Sequence, residues 1–169
     1  MKTIFNARVL QKYRNRYDVW YDPKKGHTGV DLDYDYEGFY SPYTGTILQI
    51  RVQPEMGQCI YLLDAWNNVH IFGHFARVDY KKGDKVIRGR MLGITGGKKG
   101  GKPGWPGDKA NAGSATSRPH VHHETIVRGK PYRKEDAVMV RELYGIKGWN
   151  TDPIRYGRDM YAAYKVPVV

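Results

Sequence analysis

A single cysteine, Cys59, stands in a chain of 169 residues. That scarcity excludes an internal disulfide and any zinc cluster built on thiolates, and a small chain without a disulfide is expected to fold in a reducing cytoplasm. Cys59 lies in "GQCIYLL", an apolar strand-like run, where a buried structural thiol is expected rather than a nucleophile. Long hydrophobic runs are missing as well. No stretch approaches the roughly 20 apolar residues of a membrane span. Asn6 and Arg8 interrupt "MKTIFNARVL" before the apolar core of an export signal could form. A protein made in the cytoplasm, with neither leader nor anchor, is therefore expected. Acids are scarce beside bases: 17 Asp+Glu against 28 Lys+Arg give a formal net charge of +11. Such a field draws polyanions, whether nucleic acid, anionic lipid or the acidic polymers of a bacterial envelope.

What is present is globular in character, with 40% hydrophobic and 27% charged residues. Residues 1–169 suit one domain large enough to bury a core. Tyrosine is frequent, at 14 residues, a bias toward half-buried strands and a polar groove. From residue 27 onward come short runs bounded by turn residues: "HTGVDLDY", "GTILQIRVQ", "QCIYLLDA" and "NVHIFGHF". Their alternation and β-branched content predict a mostly β, antiparallel domain. Asp64–Asn68 reads as the turn between two of these strands. The stretch 96–118 is long, basic and rich in Gly and Pro, the profile of a functional or mobile loop. "KEDAVMVRELYG" (134–145) has apolar positions at helical spacing and a Gly stop. "TDPIRYGRDMYAAYK" opens with Asp-Pro, an N-cap followed by a first helical position, although Gly157 weakens it.

Three separate pieces could carry chemistry. In "HVHHETIV", read as a strand, His120 and His122 share one face while Val121 and His123 point to the other. Two imidazoles on one face suit a metal site, or a ligand beside a base; alone, such a pair is also an ordinary surface feature. In "HTGVD", His27 and Asp31 offer one neutral nitrogen and one anionic oxygen, a combination that suits a catalytic zinc with three protein ligands. A capping Asp beside an exposed His is the plainer alternative. In "FGHF", His74 follows a Gly at the end of a strand-like run, and a buried histidine bonded to a carbonyl would explain it equally. His70 reads as a strand histidine. "DLDYDYEG" imitates the start of a calcium loop, but Tyr36 and Pro42 stand where that loop needs Gly and Glu.

The order of the pieces is more specific than any one of them. HxGxD (27–31), "SPYTGTI" (41–47), GH (73–74), "KKGDKVIRGRMLGITG" (81–96) and PHxHHE (119–124) follow in sequence. Over about residues 26–127 this resembles the lysostaphin-type, or LytM-domain, zinc metallopeptidases. The resemblance implies an antiparallel β domain with an open groove and short helices toward the C-terminus. It further implies that His27, Asp31 and His122 bind one Zn²⁺. His120 and His74 would then flank the attacking water and the scissile carbonyl as the catalytic pair, their division of labour left open. Glu124 is implied neither as ligand nor as base, and orienting a metal-bound histidine suits it better. His123 stands where the family usually has phenylalanine, which suits a core position. The loop 96–118 is much longer than the family's, and neither the basic N-terminal segment 1–25 nor the extension 128–169 is explained by the core motifs.

The function this implies is a zinc endopeptidase cutting the peptide cross-links of bacterial peptidoglycan. With no export signal and no wall-binding module, a monomeric bacteriophage endolysin causing host-cell lysis is expected. Its positive charge would hold anionic envelope polymers. A non-catalytic LytM-type domain that binds wall or activates another hydrolase is the alternative, opposed by retention of all five His and Asp positions. A basic nucleic-acid-binding protein is suggested only by charge and aromatics, and no nucleic-acid partner is expected.

Overall fold

Short alternating runs become strands. A computed structural model of the chain describes residues 1–15, 26–53, 56–98, 118–134, 140–143 and 146–164. In chain order these form β1 (Val9–Gln11), β2 (Val30–Leu32), β3 (Gly38–Tyr40), β4 (Gly45–Gln53), β5 (Gly57–Asp64), β6 (Val69–Val78), β7 (Lys85–Val86), β8 (Met91–Thr95), β9 (Val121–Val127), β10 (Val140–Leu143) and β11 (Ile146–Thr151). One helix, α1 (Pro153–Tyr164), follows. The main path of the sheet is β1-β2-β9-β6-β5-β4-β7; β11 pairs with β9 and carries β10, while β8 pairs with β6 and carries β3. Every pairing is antiparallel.

Alternation along the central strands sorts the side chains onto two faces. Ile60, Leu62, Phe72, Val121 and Val127 pack on one side with Leu32, Phe39, Tyr43 and Tyr156. Cys59, Tyr61, Val69, Ile71 and Ile126 pack on the other with Ile146. Burial pushes the Cys59 thiol up to about 12, so it stays protonated and inert, as its strand setting suggests.

The turn at Asp64–Asn68 forms as expected: Asp64 Oδ1 accepts from the Trp66 and Asn68 amides, each at 2.9 Å. Asp152 caps α1, its Oδ1 accepting from Ile154 N at 2.9 Å. Gly157 does not break the helix. A Cβ there would lie 2.8 Å from the Tyr43 hydroxyl, so its smallness lets α1 sit directly on the core.

The helix expected over 134–145 is corrected at residues 140–143, while 135–139 and 144–145 lie outside the described residues. Residues 140–143 form β10, in register with β11 from Val140↔Trp149 to Leu143↔Ile146. Main-chain pairing with a strand already docked on β9 overrides the 3.6-residue spacing of the apolar positions. Residues 99–117 of the long basic loop lie outside the described residues. Among the described residues no helix is long and apolar enough to cross a membrane.

Candidate metal centre

Pairing of β2 with β9, and of β9 with β6, sets Asp31, His122 and Gly73 side by side across three strands. The close approach at the entry to β2 requires Gly29. A Cβ at that position would stand 2.3 Å from the His123 carbonyl oxygen and 3.1 Å from Glu124 Cγ. With glycine there, His27 and Asp31 reach the same point as His122. His122 Nδ1 lies 2.9 Å from Asp31 Oδ1 and 3.1 Å from His27 Nε2, and His27 Nε2 lies 3.2 Å from Asp31 Oδ1. All three side chains are buried.

The partners behind these atoms fix which nitrogens carry hydrogen. His27 Nδ1 faces the Lys12 carbonyl at 3.1 Å, so it is the donor and Nε2 keeps a lone pair. His122 Nε2 faces Glu124 Oε1 at 3.0 Å, so it donates outward and Nδ1 is the inner acceptor. Thr28 donates its hydroxyl to the same Glu124 oxygen at 2.7 Å. The inner atoms are thus three acceptors in mutual contact with no hydrogen of their own. Only a positive charge among them relieves this, either a proton on His122 or a metal cation. Two imidazole nitrogens and one carboxylate oxygen are a set that fits Zn²⁺.

The electrostatics agree. Burial disfavours the Asp31 carboxylate, yet hydrogen bonds with His122 and His27 outweigh it and hold the group far below the usual carboxylate range. Burial likewise disfavours a charged His122. Its bonds to Asp31 and Glu124 prevail and push it up to about 9 without metal.

His120 and His74 stand beside this set. His120 Nδ1 donates to the Arg118 carbonyl at 2.9 Å, which leaves Nε2 unprotonated and 3.7 Å from Asp31 Oδ1. The His74 and His120 rings are 4.4 Å apart. His74 lies in the left-handed region, φ 66°, unusual for a residue with a side chain. Its amide donates to the Met56 carbonyl at 2.7 Å, and its own carbonyl accepts from Gly96 N at 2.6 Å. These two bonds hold the bulge that swings the ring toward His120. Burial, with the neighbouring histidines, keeps His74 well below the ordinary imidazole range; burial also lowers His120. Both are neutral near pH 7.

Five side chains singled out in the sequence therefore meet at one place: His27, Asp31, His74, His120 and His122. His123 does not join them. It is fully buried on the opposite face, 4.6 Å from the Phe72 ring, as its position on the strand predicts. Thr28 and the Lys12 carbonyl were not visible as contributors, because a main-chain acceptor from a distant segment leaves no residue signature.

An antiparallel sheet holding a His₂Asp acceptor set beside two neutral histidines offers the donor chemistry that a metallopeptidase uses. Residues 25–134 match peptidase family M23, and the chain belongs to that family. Over 144 residues it is 26% identical to the peptidoglycan DD-endopeptidase ShyA of Vibrio cholerae, a match covering 75% of this chain. It spans only 30% of that relative's length. The catalytic domain of lysostaphin from Staphylococcus simulans superposes with a TM-score of 0.63 at 17% identity, covering 90% of this chain and 93% of that one. A zinc-containing peptidase from Vibrio cholerae gives a TM-score of 0.53 at 20% identity, covering 72% of this chain and 34% of that one.

Proposed function

We propose that the protein is a zinc endopeptidase that hydrolyses peptide cross-links of bacterial peptidoglycan, with His27, Asp31 and His122 as metal ligands. The observation that carries this reading is the inward-facing trio of acceptor atoms, two of them fixed as acceptors by the Lys12 carbonyl and Glu124. Membership of family M23 and similarity to a peptidoglycan endopeptidase support the substrate class. Bound zinc supplies Lewis acidity toward the scissile carbonyl and lowers the pKa of water to about 7.

The remaining work falls to this chain's histidines. His120 Nε2, with its lone pair directed toward the centre, accepts the proton of the attacking water. It returns that proton to the departing amine. His74, neutral and beside it, donates its ring N–H to the carbonyl oxygen as negative charge grows there. Burial holds the orientation of the His74 ring, and the bond to the Arg118 carbonyl holds that of the partly exposed His120. The formal charge of +11 supplies affinity for anionic wall polymers, and a bacteriophage endolysin acting as one catalytic unit is the biological setting we favour.

The test combines metal content with lysis of purified sacculi. The unsubstituted protein should hold one zinc, and His27→Ala or His122→Ala should lose both metal and lysis. His120→Ala should keep the metal and lose lysis. Retained lysis in either ligand variant refutes the assignment, and loss of metal in His120→Ala exchanges the roles of His120 and His122. Mass spectrometry of the released fragments then identifies the bond cut.

A further inference from the structure

Beneath β9, on the face of the sheet away from His122, runs a second buried polar chain that the chemistry above does not use. It begins on α1. Tyr156 donates its hydroxyl to Asp64 Oδ2 at 2.7 Å, and Asn68 Nδ2 donates to that hydroxyl at 2.8 Å. Asp64 Oδ2 also accepts from His70 Nε2 at 3.0 Å, while its Oδ1 takes the Trp66 and Asn68 amides. With Nε2 donating, His70 presents Nδ1 as an acceptor to β9. The Thr125 hydroxyl lies 3.0 Å from it and His123 Nε2 lies 3.3 Å from it. Tyr43 stacks on the His70 ring with centroids 3.8 Å apart.

The order Asp64–His70–Thr125 imitates a nucleophile triad, but it has no access to substrate. His70 and Thr125 are wholly buried and Asp64 is 4% exposed. Simple packing does not account for the chain either. A buried carboxylate is tolerated only when its lone pairs are met, and apolar residues would fill the same space with less penalty. What a connected buried polar network adds is one defined geometry. Its endpoints show where that geometry is delivered. His123 and Thr125 flank Glu124 on β9, so the chain grips from below the stretch whose upper side carries His122 and Glu124. Its other end, Tyr156, lies beyond residues 25–134, the part that matches the family.

We propose that Tyr156, Asp64 and His70 are positioning residues through which α1 fixes β9, setting His122 and Glu124 for metal binding. This rests on the zinc reading above. The C-terminal extension thereby acquires a role in the site although it contributes no atom to it.

The test is a two-step cycle read by zinc affinity, using chelator competition on folded protein well below its melting temperature. Tyr156→Phe should weaken zinc binding about tenfold, the lower end of effects from groups behind metal ligands. It should also shift the visible spectrum of the Co²⁺-loaded protein. His70→Phe severs the chain while keeping the stacked ring, so adding Tyr156→Phe to it should change zinc affinity no further. If His70→Phe fails to fold, Thr125→Val takes its place in the cycle. A Tyr156→Phe protein that melts earlier but binds zinc with unchanged affinity and spectrum overturns the proposal. So do effects that simply multiply in the double variant. If the unsubstituted protein binds no zinc, it is the metal reading that falls. The chain is then judged by amide exchange over residues 122–126: faster exchange in Tyr156→Phe supports it, and unchanged exchange overturns it.

Discussion

Replacing Glu124 with glutamine separates the charge of that side chain from its shape. Glu124 is 1% exposed, and its Oε1 receives both His122 Nε2–H at 3.0 Å and the Thr28 hydroxyl at 2.7 Å. A glutamine amide oxygen can accept the same two hydrogens, so the tautomer of His122 survives. What disappears is the negative charge that makes its inner nitrogen a stronger donor to a cation. Loss of a partner behind a metal-bound histidine typically weakens metal affinity about 10–100-fold, or about 1.4–2.7 kcal/mol. Glu124→Ala goes further, stranding the buried His122 Nε2–H at about 1–3 kcal/mol and freeing the half-buried Thr28 hydroxyl, and should lower the melting temperature as well as zinc affinity. Competition with a chromophoric chelator at pH 7 measures the first effect and thermal unfolding the second. Zinc affinity should fall in the order wild type, Glu124→Gln, Glu124→Ala. A Glu124→Gln protein with unaltered zinc affinity would refute the claim that the carboxylate tunes His122.

Two further outcomes follow from the same geometry. In the metal-free protein His122 is pushed up to about 9, so below that pH a cation must displace a proton from Nδ1. Apparent zinc affinity should therefore rise by about tenfold per pH unit from 7 toward 9 and level off above; isothermal titration across that range tests it, and a flat profile contradicts the assigned proton. Gly29→Ala places a Cβ 2.3 Å from the His123 carbonyl oxygen. The forced shift of β2 against β9 should cost about 3 kcal/mol, a drop of about 6–12 °C in a chain of this size; a thermal scan showing no drop would mean the two strands are not held that closely.

The candidate site was legible in the sequence through the order of its motifs and the family they resemble, and local periodicity added one distinction. Alternation along "PHVHHE" alone separates His122, which belongs to the acceptor trio, from His123, which lies in the opposite core. "HTGVD" alone leaves a capping Asp beside an exposed His as the plainer reading, and His27 and Asp31 come forward only through the family resemblance; the close backbone approach at Gly29 emerges only in the fold. What stayed hidden depends on register between distant strands. His70 reads as an unremarkable strand residue until β5, β6, β9 and α1 assemble around it. Asp64 reads only as a turn former, although its second oxygen anchors a buried chain. The strand at 140–143 was masked by a helical spacing that pairing with β11 overrides.

Residues 12–15 carry none of the motifs, yet they hold His27, one of the proposed ligands. Arg14 N donates to the His27 carbonyl at 2.7 Å, His27 N donates to the Asn15 carbonyl at 3.0 Å, and the Lys12 carbonyl holds the His27 ring. Anyone building chimaeras by grafting residues 25–134, the part that matches the family, onto another carrier would transfer every side chain of the candidate centre. The graft would nonetheless leave behind the peptide group that tells His27 which nitrogen to offer. For this protein the useful module boundary lies at the start of the N-terminal wrap, some dozen residues or more ahead of the first recognisable motif.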